Sequence, residues 1–107
     1  MNRYPIEAGT EVAVFGLGPL GVSAVQGARI QGAKTIIGID PIRYRRELAL
    51  KLGATHVLDP NELRGNDLIN RIRELTPDVA PAGRRYLGEH VAGPLYVLER
   101  LSAPVSI

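Results

Sequence analysis

A continuous apolar run, Val12-Ala13-Val14-Phe15, leads directly into Gly16-Leu17-Gly18-Pro19-Leu20-Gly21. An unbroken apolar run suits a parallel strand covered on both faces, because a strand with one wet face would alternate. The Gly-x-Gly-x-x-Gly spacing recurs by chance in many chains and says little alone. Directly after a buried strand it says more, since the residues that follow, Leu20 to Gln31, are rich in Ala and Val and read as a helix. Pro19 fits the first turn of that helix, where a missing N–H is no loss. Gly32 stands where the helix should stop.

The pattern then repeats. Thr35-Ile36-Ile37-Gly38-Ile39 reads as a second buried strand ending at Asp40. Pro41 is placed to open the next helix, Leu48, Ala49 and Leu52 give it one apolar stripe, and Gly53 is placed to end it. Thr55-His56-Val57-Leu58 reads as a third strand closed by Asp59-Pro60. A third helix is expected over Glu62 to Leu75, with Leu68, Ile69, Ile72 and Leu75 at helical spacing. Strands alternating with helices on short connections imply an α/β fold with a parallel sheet and right-handed crossovers. The expected strand order is 3-2-1-4, that of a truncated half of a Rossmann-like dinucleotide-binding domain.

After Pro77 the pattern weakens. Residues 78–94 hold Pro, Gly and Arg and read as loop, Leu95-Tyr96-Val97-Leu98 is a candidate fourth strand, and Ser102 to Ile107 reads as a tail. Glu7-Ala8-Gly9-Thr10 reads as a turn ahead of the first strand. The whole is expected to be one partial domain with its core over about residues 10–76.

The glycine spacing has a mechanical reading in this context. Gly16 permits the tight turn, Gly18 lets the backbone approach a pyrophosphate, and Gly21 lets helix and strand pack closely. The helix N-terminus offers free N–H groups and a partial positive charge to a diphosphate. Asp40 ends the second strand, 19 positions after Gly21. Its carboxylate would accept hydrogen bonds from adenosine ribose hydroxyls and repel a 2′-phosphate, which favours NAD over NADP. The bland alternative is a set of packing glycines beside a solvated Asp. Val14-Phe15 stand where adenosylmethionine-binding methyltransferases usually carry an acidic residue, Val25 stands where flavoproteins usually carry a small one, and the lysine-bearing phosphate loop is absent.

Charge and cysteine content narrow the partners. The chain of 107 residues carries a net charge of +2, with arginines grouped at Arg43, Arg45, Arg46 and at Arg84, Arg85. A basic face can attract nucleic acid, but the chain has one Phe and no Trp, so nucleic acid is the less favoured partner. There is no cysteine, which excludes disulfides and thiolate zinc sites. His56 and His90 are far apart in sequence; they read as strand and polar-loop residues rather than metal ligands. No apolar run approaches a membrane span and the N-terminus lacks a signal-peptide core, so the expected location is cytoplasmic.

Three blocks together resemble the cofactor domain of zinc-type medium-chain alcohol dehydrogenases: Thr10 to Gly21, Ala33 to Asp40, and Arg45 to Asp59. The resemblance implies an NAD-binding oxidoreductase domain with Gly16, Leu17, Gly18, Pro19, Leu20, Gly21 and Asp40 at the cofactor. It also implies a ribose contact for Arg45, the basic residue five positions after Asp40; a solvated helix face is the alternative. In the family a catalytic domain with largely Cys and His zinc ligands precedes this segment. Here only residues 1–11 precede it, so a fragment is expected: an excised piece, a truncated gene or a frameshifted one. Such a chain would lack dehydrogenase activity by itself and have no zinc site, and its exposed strand edges would favour a homo-oligomer. The alternatives are a dehydrogenase subunit completed by another chain, and a non-catalytic interaction or basic nucleic-acid-binding module.

Overall fold

The computed structural model describes residues 11–76 in full and residues 84–90 and 93–98 by their backbone. Strand β1 spans Glu11–Phe15, and helix α1 spans Pro19–Ile30. Strand β2 is Thr35–Ile39, helix α2 Arg43–Leu52 and strand β3 His56–Leu58. Helix α3 is Asn66–Leu75, and strands β4 and β5 are Arg84–His90 and Gly93–Leu98. The sheet order is β3-β2-β1-β5-β4, with β1, β2 and β3 parallel.

The apolar runs behave as a two-faced parallel sheet requires. Every residue of β2 is buried, as are Glu11, Val12, Ala13 and Val14 of β1. On one face Val12, Val14 and Ile36 pack against Ala24, Val25 and Ala28 of α1 and Ala49 of α2. On the other Ala13, Ile37 and Ile39 pack with Leu58 and with Ile72 of α3, flanked by Leu68 and Leu75. Helix α1 buries Gly21, Ala24, Val25 and Ala28, a stripe of small residues that lets its axis lie close to the sheet. Of the stripe expected on α2, Ala49 is buried and Leu48 and Leu52 are half-buried. Ile69 of α3, assigned to the apolar face on spacing alone, is 47% exposed.

Gly32 and Gly53 stop α1 and α2 as expected, at φ 84° and 133°. The starts of α2 and α3 differ from expectation for local reasons. Asp40 Oδ1 accepts the Ile42 N–H at 2.8 Å, which keeps Pro41-Ile42 in a turn, so α2 begins at Arg43 rather than Pro41. Asp59 organises a second turn: its Oδ1 accepts the Asn61 N–H, and its carbonyl accepts those of Glu62 and Leu63. Gly65 at φ 56° then resets the chain, and α3 begins at Asn66 rather than Glu62.

The fourth place in the sheet is filled differently from the 3-2-1-4 expectation. The expected strand, Leu95–Leu98, does lie beside β1, but it is antiparallel, with Glu11 opposite Leu98 and Val14 opposite Leu95. The stretch read as loop contains β4, which pairs antiparallel with β5, and His90 is its last residue rather than a loop residue. Two residues separate β4 from β5, too few for the crossover that a parallel neighbour needs. Composition misled here because strand propensity yields to pairing. Pro94 sits near the start of β5, where a missing donor is tolerated. The turn expected at residues 7–10 and the tail expected at 102–107 lie outside the described residues. Among the described residues no helix is long and apolar enough to cross a membrane.

Candidate nucleotide site

The glycine loop and Asp40 meet at the C-terminal edge of the parallel strands. Gly16 leaves β1 at φ 86°, a conformation that favours glycine, and its N–H donates to the Ile39 carbonyl at 2.8 Å. That bond ties the end of β1 to the end of β2. Gly18 is buried and extended, and its carbonyl accepts the Val22 N–H at 2.9 Å, the first helical bond of α1. Pro19 occupies the first helical position, as expected. Gly21 packs on the loop itself: a Cβ built there would stand 1.8 Å from the Gly16 carbonyl oxygen and 3.5 Å from Val14 Cγ1. The close helix–strand approach inferred for Gly21 is therefore a loop–helix contact as well.

Among the described residues no side chain caps the N-terminus of α1, and its first turn holds no acidic residue. Helical geometry leaves the N–H groups of Leu20 and Gly21 without an acceptor inside the helix. Pro19 and Leu20 are exposed beside them. This end of the helix can therefore take an anion, with the partial positive charge of the helix behind it.

Asp40 is 3% exposed. Its Oδ2 accepts the Leu17 N–H at 2.8 Å and lies 3.7 Å from Arg45 Nη1. Its Oδ1 accepts the Ile42 N–H. A carboxylate offers about four acceptor positions, so capacity remains for ribose hydroxyls. The fold thus brings Leu17, Asp40 and Arg45 together, and Arg45 remains 44% exposed. Leu17 differs from its neighbours in the motif: its side chain is 1% exposed and belongs to the core under α1, leaving only its backbone at the loop.

Arg46 and Asp59, read from the sequence only as one of a basic group and as a strand end, meet at this edge. Arg46 Nη1 donates to the Asp40 carbonyl at 2.8 Å and lies 3.5 Å from Asp59 Oδ2, with both side chains 16% exposed. Arg46 therefore bridges the ends of β2 and β3. The available signal was the echo between Asp40 and Asp59, each an aspartate closing a strand ahead of a proline.

Among the described residues no donor set fits zinc. The chain has no cysteine, and among the described residues no three of His, Asp and Glu converge. His56 is exposed, and its Nδ1 lies 2.9 Å from Thr55 Oγ1.

A three-stranded parallel unit with a glycine turn into an uncapped helix and an acidic residue closing the second strand defines the Rossmann-like class of α/β proteins. The sequence model described as zinc-binding dehydrogenase matches residues 19–98, and the chain belongs to that family, the zinc-type medium-chain alcohol dehydrogenases. It is 43% identical over 76 residues to a geraniol dehydrogenase of Castellaniella defragrans, a match covering 71% of this chain and 20% of that one. The crystal structure of an alcohol dehydrogenase zinc-binding domain protein from Burkholderia ambifaria is 45% identical with a TM-score of 0.63, covering 68% of this chain and 19% of the other. A protein of Sinorhizobium meliloti described as a zinc-binding dehydrogenase, solved bound to NADP, is 41% identical with a TM-score of 0.54, covering 54% and 17%. The chain spans about a fifth of the length of these relatives.

Proposed function

We propose that this chain supplies the adenosine and diphosphate half of an NAD site in a zinc-type, NAD-dependent alcohol dehydrogenase. The observation that carries the reading is the uncapped N-terminus of α1, whose approach turn is bonded through the Leu17 N–H to the buried Asp40 carboxylate. In this reading the N–H groups at the start of α1 bind the diphosphate, and Asp40 accepts the ribose hydroxyls. Arg45, 3.7 Å from Asp40 Oδ2 and partly exposed, contacts the ribose. The Sinorhizobium neighbour holds NADP. In this reading Asp40 accepts the ribose hydroxyls, and its carboxylate would repel a 2′-phosphate there, so the cofactor proposed is NAD. Bound NAD would supply the hydride acceptor. The residues of this site bind and orient the adenosine end.

Calorimetric titration of the chain with NADH and NADPH tests the reading. The expected result is NADH binding with clear discrimination against NADPH, and a smaller discrimination in Asp40→Ala. Failure of folded protein to bind either nucleotide overturns it. The basic-module alternative predicts instead that Asp40→Ala leaves affinity for a duplex oligonucleotide unchanged or slightly higher. The pure chain, given NAD and cyclohexanol, is expected to form no NADH.

A further inference from the structure

Leu17 sits at the middle of the glycine turn, between Gly16 and Gly18, and is held from two directions. Its side chain is 1% exposed and rests over Gly38, where an added Cβ would lie 3.0 and 3.1 Å from the two Leu17 methyl carbons. Its N–H is fixed by Asp40 Oδ2 at 2.8 Å, a buried bond spanning 23 residues. Asp40 is itself held: Oδ1 takes the Ile42 N–H, the Asp40 N–H donates to the Leu58 carbonyl at 3.2 Å, and the Asp40 carbonyl takes Arg46. The turn that precedes the anion-binding end of α1 is thus anchored to β2 by the Gly16 N–H on the Ile39 carbonyl and, one residue on, by one carboxylate oxygen of Asp40. A loop already ordered in the free protein loses less entropy when it binds.

We infer that Asp40 is a positioning residue for the diphosphate loop in addition to the ribose acceptor proposed above. The inference rests on the nucleotide reading of the site, yet it makes a separate claim. If Asp40 served only the ribose, a ligand without ribose hydroxyls would not miss it. Charge alone would even act in the other direction, because a carboxylate near a diphosphate repels it and its removal should tighten binding.

The test uses the whole chain, Asp40→Ala and Asp40→Asn, titrated with ADP and with its 2′,3′-dideoxy analogue. The analogue keeps the base and the diphosphate but lacks both hydroxyls. Asp40→Ala is expected to weaken the dideoxy ligand about tenfold, the scale of one lost hydrogen bond to a charged group. Asp40→Asn, whose amide oxygen can still accept the Leu17 N–H, is expected to bind it within about threefold of wild type, on the scale of a neutral-for-charged acceptor exchange. Dideoxy affinity unchanged or higher in Asp40→Ala, with ADP weakened, overturns the inference while leaving the nucleotide reading intact. Binding of neither ligand by wild type overturns the nucleotide reading and this inference with it. Amide hydrogen exchange gives a second measure: Leu17 should exchange faster in Asp40→Ala while Val14 in β1 is unchanged. Equal Leu17 protection in the two proteins overturns the inference. Should the alanine variant fail to fold, Asp40→Leu, of similar shape but with no acceptor for the Leu17 N–H, takes its place in both measurements with the same expected and overturning results.

Discussion

Single glycines in this chain differ sharply in what they tolerate. At Gly21 a Cβ would stand 1.8 Å from the backbone oxygen of Gly16, and backbone cannot swing aside as a side-chain tip can. Gly21→Ala should cost about 3 kcal/mol or more, at or above the upper end for overpacking, read as a lowered urea midpoint. Gly27, six residues along the same helix, has nothing within 4 Å of its Cβ position. Gly27→Ala should raise stability by about 0.5–1 kcal/mol through helix propensity. The motif spacing alone points to Gly21, but the physical partner, a carbonyl five residues earlier, emerges only once the loop is folded. Glu11 presents the opposite case. It is 1% exposed, and among the described residues neither carboxylate oxygen has a hydrogen-bond partner. An acidic residue opening a strand reads as a wet strand end, and only the strands paired on both sides of β1 make it buried. Glu11→Val should stabilise the chain by about 1–3 kcal/mol, the scale of an unpaired polar group removed from the interior. A lowered melting temperature in that variant would mean that the carboxylate has a partner after all.

At the scale of elements, the strands and helices of residues 11–76 follow from local patterns: apolar runs for β1 and β2, and small or apolar residues at helical spacing for α1 and α3. What local patterns do not contain is the way element ends are tied together. Asp40 and Asp59 shift the starts of α2 and α3 by pulling the following N–H groups into turns. Arg46 then joins the two strand ends. Arg46→Met keeps the length of the side chain and removes both contacts, so it should cost about 1–2 kcal/mol in thermal unfolding. Arg43 offers the contrast, because its pairing with Glu47 lies on the outer face of α2 with side chains 83% and 57% exposed. Arg43→Gln should change stability by less than about 0.5 kcal/mol. The two arginines are three positions apart on one helix, and sequence gives no reason to rank them. Their ranking comes from which one faces the strand ends.

For the whole molecule, the α/β class and the order of the three parallel strands were legible because each strand is followed by a helix that must cross back over the sheet. The far side of β1 was not legible, since a hairpin is a non-local pairing of segments with loop-like composition. The sheet ends in β3 on one side and β4 on the other. β3 has three residues and offers little edge; β4 has seven, with an irregularity between Tyr86 and Glu89. We propose that the chain self-associates, and that it does so through the longer edge, β4. Light scattering should then show a mass that rises with concentration; a constant monomer mass throughout would set this aside. The bond from the Leu17 N–H to Asp40 has a consequence for how such a site could change its preference among cofactors. Replacing the aspartate to admit a phosphate would also release the turn, so affinity for every nucleotide would fall before the new one was gained. A lineage or an engineer moving in that direction would need a second substitution that holds the turn in place, and the two changes would have to arrive in the right order.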